Sequence, residues 1–168
     1  MIFSAKIMLL GDIGVGKTSL AKRLMFGKFD NDYKTTIGVD ILTHELTLSD
    51  GPEPVTAKLL LWDTDGDFGQ HIFKSVYIAG SSGALVISDA SRPPTIQAMF
   101  DLAAGFLERL PGRSVRAVIN KCDIVAPDLS GMDMRGIQPE DVLYSSAKTG
   151  EGVDAAFTSI ATDIYRRI

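Results

Sequence analysis

Short apolar runs alternate along this chain with stretches whose apolar residues recur at helical spacing. Ile7-Met8-Leu9-Leu10 reads as a buried strand that stops at Gly11. From about Lys17 to Phe26 the pattern predicts a helix, with Leu20, Leu24 and Met25 on one face. From about Val39 to Leu48, the positions Val39, Ile41, His44, Leu46 and Leu48 read as the alternation of an edge or half-buried strand. Ser49-Asp50-Gly51-Pro52 makes a turn and Val55 to Trp62 the partner strand, so a hairpin is expected. Ala84-Leu85-Val86-Ile87 is the next buried run. Ile96, Met99, Leu102, Ala103, Phe106 and Leu110 then mark a helix from about Thr95 to Leu110. Val115 to Ile119 and Val142 to Tyr144 are the last strands, and Val153, Phe157, Ile160, Ala161 and Ile164 give a C-terminal helix.

Strands separated by helical patterns indicate a mainly parallel sheet with helices on both faces. The expected fold is a three-layer α/β domain over residues 1–168, its six-stranded sheet mostly parallel with one antiparallel edge strand. Between Asp123 and Val142, Pro127, Gly131, Gly136 and Pro139 leave little room for a regular crossover helix, so a short or broken one is expected. With 45% apolar and 23% charged residues the chain is neither disordered nor fibrous. A net charge of −4 argues against a nucleic-acid or anionic-membrane binder. The single Cys122 excludes an intramolecular disulfide framework and fits a reducing compartment. No apolar run approaches the roughly 18 residues of a membrane span, and the first residues lack the pattern of a secretory signal. No cysteine accompanies Arg166-Arg167-Ile168 for prenylation. The expectation is a cytoplasmic, unanchored monomer.

Gly11-Asp12-Ile13-Gly14-Val15-Gly16-Lys17-Thr18 matches G-x-x-x-x-G-K-[ST] between the first strand and the first helix. In such a loop, backbone N–H groups from Ile13 to Ser19 can wrap phosphate oxygens, and the helix N-terminus adds partial positive charge. Lys17 would bridge the β- and γ-phosphates, and the Thr18 hydroxyl would ligate Mg²⁺. A glycine turn with an exposed lysine is the plain alternative. By average residue usage, however, the pattern arises by chance in under about 1% of chains this long. Asn120-Lys121-Cys122-Asp123 and Ser145-Ser146-Ala147-Lys148 follow the next strands, at the sheet end where ligands of such folds bind. The Asp123 carboxylate can accept from the two N–H groups on guanine's Watson–Crick edge, where adenine offers the wrong pattern. Asn120 can reach the N7 and O6 side, the stems of Lys121 and Lys148 can cover the ring faces, and the Ala147 N–H can meet O6. Either tetrapeptide alone could be an ordinary polar loop; two in this order behind a phosphate loop favour guanine.

These segments resemble the Ras-like small GTPases, and within them the Rab branch. The resemblance runs from Ala5 to Ile168 through Gly11 to Ser19, Tyr33-Lys34-x-Thr36-Ile37-Gly38-Val39-Asp40, Trp62-Asp63-Thr64, Asn120 to Asp123 and Ser146-Ala147-Lys148. It implies a P-loop fold and a switch between GTP and GDP states with Mg²⁺, in which both switch loops are ordered by the γ-phosphate. Phe29 would pack edge-on against guanine and Tyr33 would lie near the phosphates. Thr36 would be the switch I threonine that completes Mg²⁺ coordination. Asp63 would hold the metal through water, and the Gly66 N–H would sense the γ-phosphate. Effectors and regulators, the latter an exchange factor and an activating protein, would bind through switches I and II. Trp62 reads as packing, with an effector surface as the alternative.

Three features depart from that family. Asp63-Thr64-Asp65-Gly66-Asp67-Phe68 stands where Asp-Thr-Ala-Gly-Gln-Glu is usual in switch II, so Asp67 occupies the place of the glutamine that orients the attacking water. An ionised Asp only accepts hydrogen bonds, and its charge opposes the phosphate oxygens. Slow hydrolysis is the favoured reading. A weak base at Asp67, Gln70 as a substitute, or two solvated aspartates in a mobile loop are the alternatives. Ile13 would crowd an incoming arginine, and no arginine lies in the switch segments. Lys34 is the nearest cation there and reads as solvated. The sequence also stops at its last helix, where the Rab branch generally continues into a prenylated tail; a prokaryotic-type relative that never carries lipid and a chain whose tail lies beyond this segment are the two alternatives. Two other classes stay in play: a guanine-nucleotide-dependent binding module without catalysis, and a P-loop kinase of small metabolites, whose arginine-rich lid is not visible. His44, His71, the six methionines and Glu140-Asp141 read as ordinary packing or surface residues, and Cys122 as a small packed thiol.

Overall fold

In the computed structural model, which describes residues 1–29 and 36–168, the apolar runs become strands β1 (Ile2–Gly11), β2 (Val39–Leu48), β3 (Val55–Thr64), β4 (Gly83–Asp89), β5 (Ser114–Asn120) and β6 (Val142–Tyr144). The helical patterns become α1 (Lys17–Phe26), α2 (Pro93–Arg109) and α3 (Val153–Arg166). One six-stranded sheet results, in the order β2-β3-β1-β4-β5-β6. Among the described residues only the β2–β3 pair is antiparallel, as the hairpin reading required. β1 begins five residues before its apolar run, because pairing of Ile2 to Lys6 with Thr56 to Leu60 carries it across partly exposed positions.

The phase of β2 differs from the expected one. Leu42, His44 and Leu46 are half-buried and Leu48 is buried, whereas Ile41 is 53% exposed. The two-residue period is therefore set by Leu42 to Leu48, and Ile41 stands on the opposite face, paired with Trp62. The stretch between Asp123 and Val142 holds no α-helix; its one helical turn is the 3-10 turn Pro139–Asp141. It is tied down from α2 instead. The Gln97 Nε2 donates to the Asp133 carbonyl at 2.9 Å, the Asp133 N–H returns to Gln97 Oε1 at 2.9 Å, and Arg135 pairs with Asp101 at 3.0 Å.

Alternation along β1 sends Ile7 and Leu9 to one face and Met8 and Leu10 to the other. On the first face they meet Leu61, Phe157 and Ile160, under α1 and α3; on the second they meet Phe100, Phe106 and Ile119, under α2. Each such side chain contributes about 1.5–3 kcal/mol by leaving water. Every residue of β4 is buried, which explains its unbroken apolar run. No helix among the described residues is long and apolar enough to cross a membrane.

The parallel strands all end on one side. The loops after β1, β3, β4, β5 and β6 therefore open together, and the register sets Asp63 beside Leu9, Ile87 beside Gly11 and Asn120 beside Asp89.

Candidate functional site

The loop from Gly11 to Gly16 joins β1 to α1. Gly16 sits at φ +103°, and a Cβ there would run into the Asn120 amide, so only glycine suits the position. The carbonyls of the loop are engaged one after another. The buried Lys17 ammonium donates to the Gly11 and Asp12 carbonyls, both at 2.9 Å. Lys121 Nζ donates to the Gly14 carbonyl at 2.7 Å, and Asn120 Nδ2 to that of Val15 at 3.0 Å. The Gly16 carbonyl accepts from the Leu20 N–H at 2.9 Å, inside the first turn of α1. A trans peptide sets each N–H opposite the preceding carbonyl, so carbonyls held outward turn the next N–H groups inward. Burial pushes the Lys17 ammonium below its usual range, while the charges of Asp63, Asp12 and Asp65 pull the other way.

Thr18, Thr36 and Asp63 meet beside Lys17. Thr18 Oγ1 donates to Asp63 Oδ2, lies 2.9 Å from Thr36 Oγ1, and the latter reaches Asp63 Oδ2 at 3.4 Å. Asp63 is fully buried, and its Oδ1 has no hydrogen-bond partner among the described residues. Burial raises its pKa, against the hydrogen bond from Thr18 and the charge of Lys17. A buried carboxylate with one oxygen orphaned and the other held by two hydroxyls makes an all-oxygen donor set, which fits a hard divalent ion such as Mg²⁺.

The two base-side loops are linked through Asn120. Its Oδ1 accepts from the Ala147 N–H and the Ser145 hydroxyl, both at 3.1 Å, so it ties the last loop to the phosphate loop. In this structure the Ala147 N–H is thus turned to Asn120. Asp123 is exposed, and one of its oxygens accepts from the buried Ser146 hydroxyl at 2.7 Å. Lys121 takes a left-handed φ of 65°, which lays its stem back along the phosphate loop. Lys148 is exposed. Phe29 is half-buried against the core on the α1 and α3 side. Tyr33 and Lys34 lie outside the described residues.

Comparison with known proteins decides the family. A family model described as the Ras of Complex, Roc, domain of DAPkinase matches residues 6–123. The Ras-related protein Rab-5B of Plasmodium falciparum is 34% identical over 96% of this chain and 78% of its own length. RABA4d of Arabidopsis thaliana is 31% identical over 97% and 74%, and Rab11A of Lotus japonicus 31% over 95% and 71%. The chain belongs to the Ras-like small GTPases, on their Rab side. The family hydrolyses GTP, binds guanine nucleotide and Mg²⁺, and works with effectors and regulators.

The segment where this small GTPase departs from its family has a local logic. Asp65 Oδ1 accepts the Asp67 N–H at 2.9 Å, capping the first of two 3-10 turns that span Gly66–Lys74 and are broken at Gly69, and the Asp65 N–H donates to the Gly38 carbonyl at 2.8 Å. Asp67 is exposed, and the Gln70 side chain lies against Gly105 of α2. Ser19 lies half-buried in the first turn of α1. Trp62 is half-buried, packed near Tyr77 with the Lys6 ammonium 3.6 Å from its ring centroid. Cys122 is a half-buried thiol donating to the Ile119 carbonyl at 3.2 Å.

Arg92 is the residue that sequence reasoning missed. It leaves the end of β4, donates from Nε to Asp89 Oδ2 at 3.1 Å and from Nη2 to the Ile13 carbonyl at 2.7 Å. The same buried Asp89 oxygen holds Lys121 Nζ at 2.9 Å, and its other oxygen accepts from the Ser91 hydroxyl and N–H. Burial alone would raise the Asp89 pKa; these hydrogen bonds outweigh it and bring it from 3.8 to about 2. The available signal was strand order: β4 adjoins β1, so a cation just after β4 faces the loop just after β1.

Proposed function

We propose that residues 1–168 form one small GTPase domain, a Mg²⁺-dependent switch that binds GTP and hydrolyses it slowly to GDP and phosphate. The observation that carries this reading is the union of a Lys17-centred phosphate loop with a buried Asp63 that has one orphaned oxygen and the other held by Thr18 and Thr36. Ile13, Gly14, Val15, Gly16, Lys17, Thr18 and Ser19 would hold the phosphates, with Lys17 spanning the β- and γ-groups. Thr18 and Thr36 would hold Mg²⁺ directly and Asp63 through water; when bound, the ion neutralises charge between the β- and γ-oxygens. Asp123 would select guanine, Asn120, Lys121, Ser146, Ala147 and Lys148 would shape the base site, and Phe29 and Tyr33 would flank the nucleotide. The Gly66 N–H would face the γ-phosphate.

The low rate is argued from Asp67. An exposed carboxylate can accept a proton-bearing water but cannot donate toward the phosphoryl group, and Asp65 is already spent as a cap. The same observation favours a second reading, a nucleotide-dependent binding module with negligible turnover. In either case Ile37, Ile41 and Val76, all exposed, and the half-buried Trp62 offer an apolar surface for effectors across both switches.

Single-turnover hydrolysis of preloaded GTP with Mg²⁺ tests this, with the native chain beside Asp67→Gln. Slow native turnover and a faster variant are expected. No turnover in either would leave the binding module; a native chain that hydrolyses well and is slowed by Asp67→Gln would overturn the slow-switch reading.

A further inference from the structure

We infer that Arg92 is a positioning residue for the nucleotide's phosphates, holding the loop amides that would contact them; this rests on the guanine-nucleotide reading above. Three donors outside the loop take its carbonyls in sequence: Arg92 that of Ile13, Lys121 that of Gly14 and Asn120 that of Val15. Each fixed carbonyl aims the next N–H the opposite way, so Arg92 sets Gly14, Lys121 sets Val15 and Asn120 sets Gly16. A loop whose N–H groups already converge loses less freedom on binding an anion than one that must first turn its peptides.

Arg92 has geometry that a lysine lacks. Its Nε is anchored on Asp89 while Nη2 spans to Ile13, two bonds in the fixed plane of one guanidinium. The anchor is itself rigid: Asp89 is 2% exposed and ends β4, the strand next to β1. Through Asp89 the brace also reaches Lys121, so the phosphate loop and the base loop are held on one carboxylate. On its other side, Ile13 is the residue against which Gly66 packs. The brace therefore touches the loop where the γ-phosphate side and switch II meet, without standing among the reacting atoms.

The test is release of N-methylanthraniloyl-GDP from the native chain, Arg92→Ala and Arg92→Lys, with guanosine affinity measured beside it. Loss of a charge-assisted hydrogen bond predicts release about ten-fold faster from Arg92→Ala, with guanosine affinity unchanged because the base loops keep Asn120 and Asp123. Arg92→Lys keeps the charge without the fork and should fall between the two. Unchanged GDP release in both variants, or equal weakening of GDP and guanosine, would overturn the inference. A native chain that holds no GDP would overturn the underlying nucleotide reading, and this inference with it.

Discussion

Gly66 lies so close to the phosphate loop that a Cβ there would stand 2.5 Å from the Ile13 nitrogen and 2.8 Å from its Cα. Those are backbone atoms and cannot yield, so Gly66→Ala must push switch II outward. GDP affinity should stay within about twofold of native. Affinity for a non-hydrolysable GTP analogue should fall about ten-fold, the worth of one hydrogen bond to a charged oxygen. Titration calorimetry of both ligands checks it; equal loss for the two would contradict a role at the γ-phosphate. At this scale the sequence was most legible where the chemistry is contiguous. Lys17 and Thr18 announce themselves because a phosphate loop packs its donors into one short stretch. Arg92 did not, because its contact with Ile13 bridges 79 positions and exists only through strand order. The use of Asp65 as a cap depends on a backbone turn that composition does not display.

Among the elements, α2 begins without a side-chain cap of its own and starts on Pro93 and Pro94. Thr95 compensates. Its buried hydroxyl accepts from the Asp89 N–H at 2.9 Å and donates to the Arg92 carbonyl at 2.8 Å, closing the turn between β4 and α2. Thr95→Val keeps the shape and strands a buried donor, so it should destabilise the fold by about 1–3 kcal/mol in urea unfolding. A change below about 0.5 kcal/mol would contradict that account. Helices and central strands were readable from periodicity because burial imposes it. The phase of β2 was not, since Ile41 is apolar yet belongs to the exposed face beside Trp62. The start of β1 escaped as well, because hydrogen bonding to β3 rather than burial extends it. Between Asp123 and Val142 the prolines and glycines announced that a regular helix would fail. They did not announce the contacts from Gln97 and Asp101 that fix the loop.

For the whole molecule, alternating strands and helices were enough to give the three layers and the single antiparallel edge. The parallel crossovers then explain why loops far apart in sequence open on one side, and why Asp63, Asp89 and Asn120 close one site. The apposition of a phosphate loop, an oxygen-only metal corner and a guanine-reading carboxylate is the central claim. It is tested most directly by titrating the nucleotide-free chain with GDP and with ADP, each with Mg²⁺ and with EDTA. The account predicts tight binding of GDP with Mg²⁺, weakened binding when EDTA removes the ion, and none of ADP. Equal binding of ADP and GDP, or GDP affinity indifferent to Mg²⁺, would contradict it.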